Sequence, residues 1–594
     1  MFAELAQAFP AHLARFGRGI DAEQLRLAAS PQVRIDIIKA ADEAASKPWS
    51  VILANHYRDY TRTGNRTRFE ELYFSRRLKL NALVLGECLE GGGRFLDEII
   101  DGLWLICEES GWQLPAHNSH IRGGARAPMP DIDHPVIDLF AAETGANLAL
   151  CLHLLAPELD RIAPGTTERV RDEIGTRITR PYLSEHFWWM GSGDERMNNW
   201  TAWITQNVLL STFLLPHDDT TQHQATRKAL NSLDAFQKDY GADGACEEGV
   251  LYYGHAALCL FGAMTILDEV TGGKLKPLFR SSKIRNMAEF ILHMHVSDSR
   301  YLNFADAPAN YETAGIREYL FGAAVGSQQL QAFAADRWEA STDRLMTSEW
   351  NLWYRVLALL TSEKITASTA APAKEDALYP SIGLFIARDS TYDLAVKAGS
   401  NGESHNHNDV GSFTLYKNGK PLFIDVGVGS YTAKTFSASR YDIWTMQSAY
   451  HNLPIIGGIM QSAGSEYRAR DFKAEFNEEW ACVSFDISGA YPSPASSHRY
   501  LRSVRLVRDS HIEVQDTYEG DDEIQLVLMS LEAPVFEAGK LQLGDLAQIG
   551  MEGCGLPSIE TIPIDDARLR QSWPEQIYRI VLKASEKSFR LIIR

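Results

Sequence analysis

The sequence predicts two parts of different class, an all-α region followed by an antiparallel β-sandwich, and three observations predict it. Up to about residue 365 apolar residues recur at three- and four-residue spacing, the period of helices with one buried face. The run Thr-Ala-Ser-Thr-Ala-Ala-Pro-Ala-Lys-Glu-Asp over 366–376 is small, polar and aperiodic, as a linker is. Beyond it the apolar period switches to two and the residues become β-branched or aromatic. Helices first and strands second place a helical domain at 1–370 and a β domain at 377–594. A chain of 594 residues, 45% of them hydrophobic, can bury more than one core.

Phe69 to Leu85, Pro135 to Leu155 and Thr201 to Leu215 show the helical period most clearly. Gly91-Gly92-Gly93, Pro128-Met129-Pro130 and Ala163-Pro164-Gly165 break it, which suits antiparallel helical hairpins arranged as a toroid or solenoid. Alternation follows in Ile382 to Ala387, Tyr392 to Lys397, Ser412 to Tyr416, Leu422 to Val426, Ala481 to Ile487, Leu501 to Arg508, Ile524 to Leu531 and Ile577 to Leu582. Asn418-Gly419, between two of these runs, predicts a two-residue hairpin of type I′.

Composition excludes several classes. With 58 basic against 77 acidic residues the net charge is −19, which argues against broad binding to nucleic acid or an anionic membrane and leaves room for a local basic cleft. The seven cysteines are scattered and form no CxxC, so neither a disulfide framework nor a thiolate zinc site is expected. No run approaches the roughly 20 apolar residues of a membrane span. The start, Met1-Phe2-Ala3-Glu4-Leu5, lacks the pattern of a secretory signal, so the expected location is the cytoplasm or periplasm.

Three clusters carry the types of residue that chemistry needs. Ser404-His405-Asn406-His407-Asn408-Asp409, with Asp425 in an apolar run and His451-Asn452 beyond, supplies imidazoles and carboxylates fit for zinc or another divalent ion. In a regular strand His405 and His407 would share a face; in a loop one can bind metal and the other face a cleft. His405-x-His407-x-Asp409 also matches the HxHxD core of metallo-hydrolases, but Val410 stands where their next histidine would be. Trp188-Trp189 and Asn198-Asn199-Trp200 combine indoles with amides, suited either to sugar recognition or to a helix cap with buried tryptophans. In Asp243 to His255, Glu247 and Glu248 fit an acid/base pair or a favourable helix start, and of the adjacent Tyr252 and Tyr253 at most one should face a site.

Together these clusters resemble the heparinase II/III superfamily of polysaccharide lyases. Ser404 to Phe413 and then Pro421 to Gly427 are similar to the signature of its C-terminal domain. Cys107 to Asn118, Asn198-Asn199-Trp200 and Glu248-Gly249-x-x-Tyr252-Tyr253-Gly254 look like motifs of its helical domain. The resemblance implies an incomplete (α/α) toroid packed on a β-sandwich with a cleft between them. It also implies β-elimination on a uronic-acid polysaccharide, with glycosaminoglycans the first expectation.

On that resemblance Asn199, or Asn198 beside it, contacts the uronate carboxylate, Tyr252 is the general acid or both acid and base, and His405 is the partner base, the substrate's epimer deciding which takes the C5 proton. His407, Asp425 and His451 match the ligands of one divalent ion, zinc before manganese, with a mainly structural role. Trp200 and Arg440 are candidate sugar or anion contacts, with Tyr441 beside Arg440. The chain departs from some members in having Asn199 for His, and from many in having Tyr253 for Trp. Two other readings predict different products: a helical-toroid glycoside hydrolase using Asp243, Glu247 or Glu248, and a sugar-binding protein without turnover. The −19 net charge is screened beyond about 8 Å in physiological salt, so a cleft lined by His, Arg and Asn can still take an anionic chain.

Overall fold

The computed structural model describes residues 1–365 and 374–594, so most of the expected linker, 366–373, lies outside the described residues. The chain divides into two compact units, one of Met1–Asp239, Gly254–Ala288 and Thr313–Ala371, the other of Tyr240–Tyr253, Glu289–Glu312 and Pro372–Arg594. Helices precede antiparallel sheets, as the change of period predicts. The single break expected from the sequence differs in one respect: Tyr240–Tyr253 and Glu289–Glu312 join the strand-bearing unit. The reason is tertiary. Arg388 Nη2 donates to the carbonyls of His293 and His295, Tyr416 Oη to that of Tyr301, and Asn303 Nδ2 to that of Asp425.

In the helical unit the three predicted stretches fall in helices Thr67–Glu90, Leu139–Ile162 and Asn199–Leu214. Asp138 and Asn198 begin the second and third with side-chain caps. Gly91, at φ 71°, ends the first in the left-handed conformation that favours glycine. Every residue of Asn199–Leu214 except Trp200 is buried, polar Thr205, Gln206 and Asn207 included, so this is a core helix. Leu139–Ile162 and Val250–Val270 are long and apolar enough to cross a membrane, contrary to the sequence expectation; 83% of each apolar window is buried in the protein, as in a core helix.

The strand-bearing unit is a sandwich of two antiparallel sheets. One runs 470–476, 480–486, 500–507, 511–518, 588–593, 547–552, 540–543, 534–537; the other runs 554–563, 576–584, 524–530, 420–423, 412–417, 392–397, 384–388, 377–379, with 454–456 paired beside 524–530. Tyr500–Val507 and His511–Tyr518 alternate buried and half-buried residues, so one face of the first sheet builds the core. Leu384–Arg388 and Tyr392–Lys397 are buried at every position. Phe385, Leu394 and Phe413 pack with Val483, Val504 and Val514 between the sheets, whereas Ile424, Val426, Val527 and Trp573 form a second cluster with Ala309. Asn418 (φ 50°) and Gly419 (φ 73°) make the predicted hairpin turn, and Lys417 pairs with Lys420 across it. All seven cysteines are free thiols.

Candidate active site and metal centre

The loop 401–411 carries the histidine cluster between strands. His405 sits at φ 57°, a left-handed conformation that ends any strand alternation, so His405 and His407 diverge. His407 turns into the protein and is buried, as are Asp425 and His451. Asp425 lies just past strand Lys420–Phe423, not within one as the sequence suggests; its Oδ1 accepts from the Gly427 amide at 2.8 Å.

His407, Asp425 and His451 offer donor atoms all within 4.8 Å of one another. His451 Nδ1 is 2.9 Å from the Gln447 carbonyl, which fixes the proton there and turns Nε2 to within 3.3 Å of Asp425 Oδ2. His407 Nε2 is 3.1 Å from Asp306 Oδ1, which leaves Nδ1 4.0 Å from Asp425 Oδ1. His407 Nδ1 and His451 Nε2 are buried without a hydrogen-bond partner. Two unpartnered imidazole nitrogens converging on a carboxylate fit a divalent cation. Burial alone would lower His451, but Asp425 carries it up to about 9, and the neighbouring histidines hold Asp425 below the usual carboxylate range against its burial, so a cation would displace a proton from His451.

His405 points elsewhere. Its Nδ1 lies 2.8 Å from Asp306 Oδ2 and its Nε2 3.2 Å from Glu248 Oε2. Its ring stacks on that of Tyr252, with centroids 4.1 Å apart. The Tyr252 and Tyr431 hydroxyls are 2.8 Å apart, and Tyr431 donates to Asp306 Oδ2 at 3.1 Å. Tyr252, Tyr431, Asp306 and His405 thus form one hydrogen-bonded chain ending on a stacked pair of rings. Tyr253 is buried near Phe290, so only one of the two tyrosines faces this cluster, as helical geometry requires. Burial first, then Tyr431 and Asp306, push the Tyr252 phenol well above its ordinary value, which keeps it protonated at neutral pH. Burial would also raise Asp306, but hydrogen bonds from His405 and His407 and the Arg440 charge hold it well below the carboxylate range.

Gly249 lets the segments meet. At φ 83° its missing side chain leaves room for Ala307 Cβ and the Phe304 carbonyl, 2.8 and 2.9 Å from where a Cβ would stand. This seats the loop that carries Asp306 against the segment that carries Glu248 and Tyr252.

Arg440 differs from the expectation of an anion or sugar contact. It donates to Asp306 Oδ1 (2.6 Å) and to the carbonyls of His405 (3.0 Å), Asn406 (3.0 Å) and Thr435 (3.1 Å). With its donors engaged inward and its side chain buried, it clamps the histidine loop. Tyr441 Oη accepts from Asn406 Nδ2 at 3.4 Å. Asp243, a candidate acid of the hydrolase reading, accepts from the Ser381 amide and hydroxyl at 2.9 and 2.7 Å, and so serves a turn. Glu247 accepts from the Ser404 amide at 3.4 Å, and Glu248 faces His405 instead of starting a helix. The HxHxD reading fails on geometry: His405 and Asp409 are outside the one group among the described residues that could hold a cation.

Asn198, Asn199 and Trp200 lie in the helical unit. Asn198 caps the helix through the Trp200 amide, Asn199 is buried in its first turn, and Trp200 packs near Trp188 and His117. Sequence reasoning missed Asp306, Tyr431 and Arg568, whose guanidinium lies 4.2 Å above the Tyr431 ring. None stands in a motif; Asp306 sits in Phe304-Ala305-Asp306-Ala307-Pro308, where only an acid among small apolar residues gives any signal.

Residues 371–543 match the family described as Heparinase II/III-like, C-terminal. This part of the chain is similar to heparinase II/III-like C-terminal domains. The His405 and His407 loop, Asp425, Arg440 and His451 all lie inside that heparinase-like region. The whole chain is similar in fold to solved lyases. A heparinase III matches with a TM-score of 0.61 at 12% identity, covering 95% of this chain and 89% of that one. A mutant of the heparan sulfate lyase HepC from Pedobacter heparinus matches at 0.59 and 14%, covering 100% and 87%. The chondroitin AC lyase of Streptomyces coelicolor, solved with chondroitin sulphate, matches at 0.54 and 10%, covering 96% and 82%. At these identities the likeness establishes the fold, a helical toroid region followed by a β-sandwich. No curated protein sequence matches the chain.

Proposed function

We propose that the protein is a polysaccharide lyase that cleaves a uronic-acid polysaccharide, glycosaminoglycans first, by β-elimination. The observation that carries this reading is the Tyr252 and His405 pair: two proton-bearing rings stacked at 4.1 Å and tied to one buried carboxylate, in a chain with the fold of heparinases and a chondroitin lyase. β-Elimination needs the uronate carboxylate neutralised, the C5 proton removed and the leaving O4 protonated. On the matched motifs Tyr252, protonated at neutral pH, would deliver the proton to O4 and His405 would take the C5 proton. Asn199 supplies the amide that neutralises the carboxylate, an assignment that rests on its motif.

His407, Asp425 and His451 would hold the cation, and its chemistry would be to stiffen the loop that ends at His405. Zinc suits two imidazoles and a carboxylate better than calcium does.

The test is a continuous ultraviolet assay against hyaluronan, chondroitin sulfate, heparan sulfate, heparin and alginate. β-Elimination leaves an unsaturated, absorbing product end, and the product ladder names the substrate and the mode of attack. New reducing ends without absorbance would establish hydrolysis instead; binding without product would establish a sugar-binding protein.

A further inference from the structure

Asp306 is fully buried, yet both of its oxygens are shared. Oδ2 faces His405 Nδ1 and accepts from Tyr431; Oδ1 faces His407 Nε2 and accepts from Arg440 Nη2. We propose that Asp306 is a positioning residue that couples cation binding at His407 to the orientation of His405. Its catalytic consequence rests on the lyase reading; the coupling itself does not.

The argument starts from the two nitrogens of imidazole: the one that carries the proton decides what the other can do. A carboxylate only accepts, so His407 presents N–H at Nε2 and its lone pair at Nδ1, the atom beside Asp425. An imidazole that donates to a carboxylate is held in one ring orientation and is a stronger donor to metal. The same carboxylate holds His405 through Nδ1, two residues earlier on a left-handed backbone. A rigid carboxylate cannot follow one ring without leaving the other. A cation on His407 Nδ1 makes its Nε2–H a stronger donor, tightens that ring on Oδ1, and so fixes Oδ2 against His405. Arg440 removes the remaining freedom, because one Nη2 contacts both Asp306 Oδ1 and the His405 carbonyl. With no exposed surface, Asp306 acts through these rings and not on the polysaccharide.

Asp306→Asn tests this, because a carboxamide has one acceptor atom and cannot serve both imidazoles. The variant should keep its circular dichroism spectrum, lose about 10–100-fold in zinc affinity measured against a competing chelator, and lose about 10–100-fold in kcat with KM within about threefold. A folded variant with unchanged zinc affinity and unchanged kcat overturns the proposal.

Where the variant does not fold, the wild-type protein labelled with 15N-histidine decides the question, with His405→Gln and His407→Gln spectra for assignment. His407 should carry its proton on Nε2 with and without zinc, and zinc should shift the His405 Nδ1–H signal as well. A His407 proton on Nδ1, or a His405 signal that ignores zinc, overturns the coupling. Neither zinc affinity nor these spectra depends on turnover. A protein that eliminates nothing yet shows both results loses the lyase reading and keeps the coupling; an active protein whose His405 ignores zinc does the reverse.

Discussion

Each compact unit buries an acid and a base, and the two units treat them in opposite ways. In the helical unit burial, aided by the Glu349 charge, pushes Glu143 up to about 8, and burial with the Arg317 charge takes His255 down to about 3. Both groups move towards neutrality. Glu143 Oε1 accepts from Asn351 Nδ2 at 2.6 Å, and His255 stacks on Trp203 at 4.0 Å, so their close partners are an amide and a ring. In the sandwich unit burial is as complete, yet Asp306 and Asp425 fall below the carboxylate range and His451 rises to about 9. There each acid has histidine or arginine within 3.3 Å. Partners, not depth, decide the charge of a buried group. The helical unit also keeps charge where partners allow it, Glu109 with Arg76 and Arg77 at 2.9 and 2.7 Å, so the contrast lies between these groups and not between whole interiors.

The sharpest division of that comparison comes from Tyr252→Phe. Removing one hydroxyl should lower kcat by about 10²–10⁴-fold if Tyr252 is the general acid, with an unfolding midpoint close to wild type. Rates of elimination and thermal unfolding, measured on the same preparation, check this. A variant with near-normal turnover takes Tyr252 out of the reaction and leaves the charged cluster as structure.

A large effect of another kind is expected for His451→Ala. The change leaves Asp425 buried beside one imidazole in place of two, a loss on the order of 3–5 kcal/mol. The unfolding midpoint should fall by about 10 °C, and bound zinc from about one ion per chain to none. Mass spectrometry of the metal content and calorimetry check it. Unchanged stoichiometry shows that the ligand set is wrong.

How far these clusters could be read from sequence follows from the range of the contacts. Each of the eight alternating runs contains a strand, because each has a face in a core, although Ile382 and 424–426 fall outside theirs. Arg470–Phe476 does alternate, Phe472, Ala474 and Phe476 against Asp471, Lys473 and Glu475, whereas the edge strand Cys554–Pro563 was not legible, since it is exposed over most of both faces and carries no apolar alternation. His407, Asp425 and His451 were legible because imidazoles and an acid amid apolar sequence are unusual. Asp306 was not: its partners lie 99 to 134 residues away, and nothing local to residue 306 marks it. Glu248 was visible as a charge before a helix, which is why it resembles a helix-start acid until His405 is seen opposite it.

The smallest expected effect tests the neutral side of the comparison. Glu143 ionises near 8 in the folded protein and near 4.5 in an unfolded chain. Between those values the folded state holds more protons than the unfolded one, so its stability falls as pH rises and the loss is complete above about pH 8. Glu143→Gln keeps an oxygen for Asn351 and removes the proton equilibrium. The variant should match wild type near pH 4.5 and be the more stable protein above pH 8, by an amount on the order of a few kcal/mol, with elimination unaffected. Unfolding midpoints of both proteins between pH 4.5 and 9 check this. Because the sandwich titrates identically in the two, their difference reports Glu143 together with its effect on the neighbouring Glu349. Parallel profiles would mean that Glu143 is charged in the folded protein, and that the helical interior keeps a carboxylate without a cation at hydrogen-bond range.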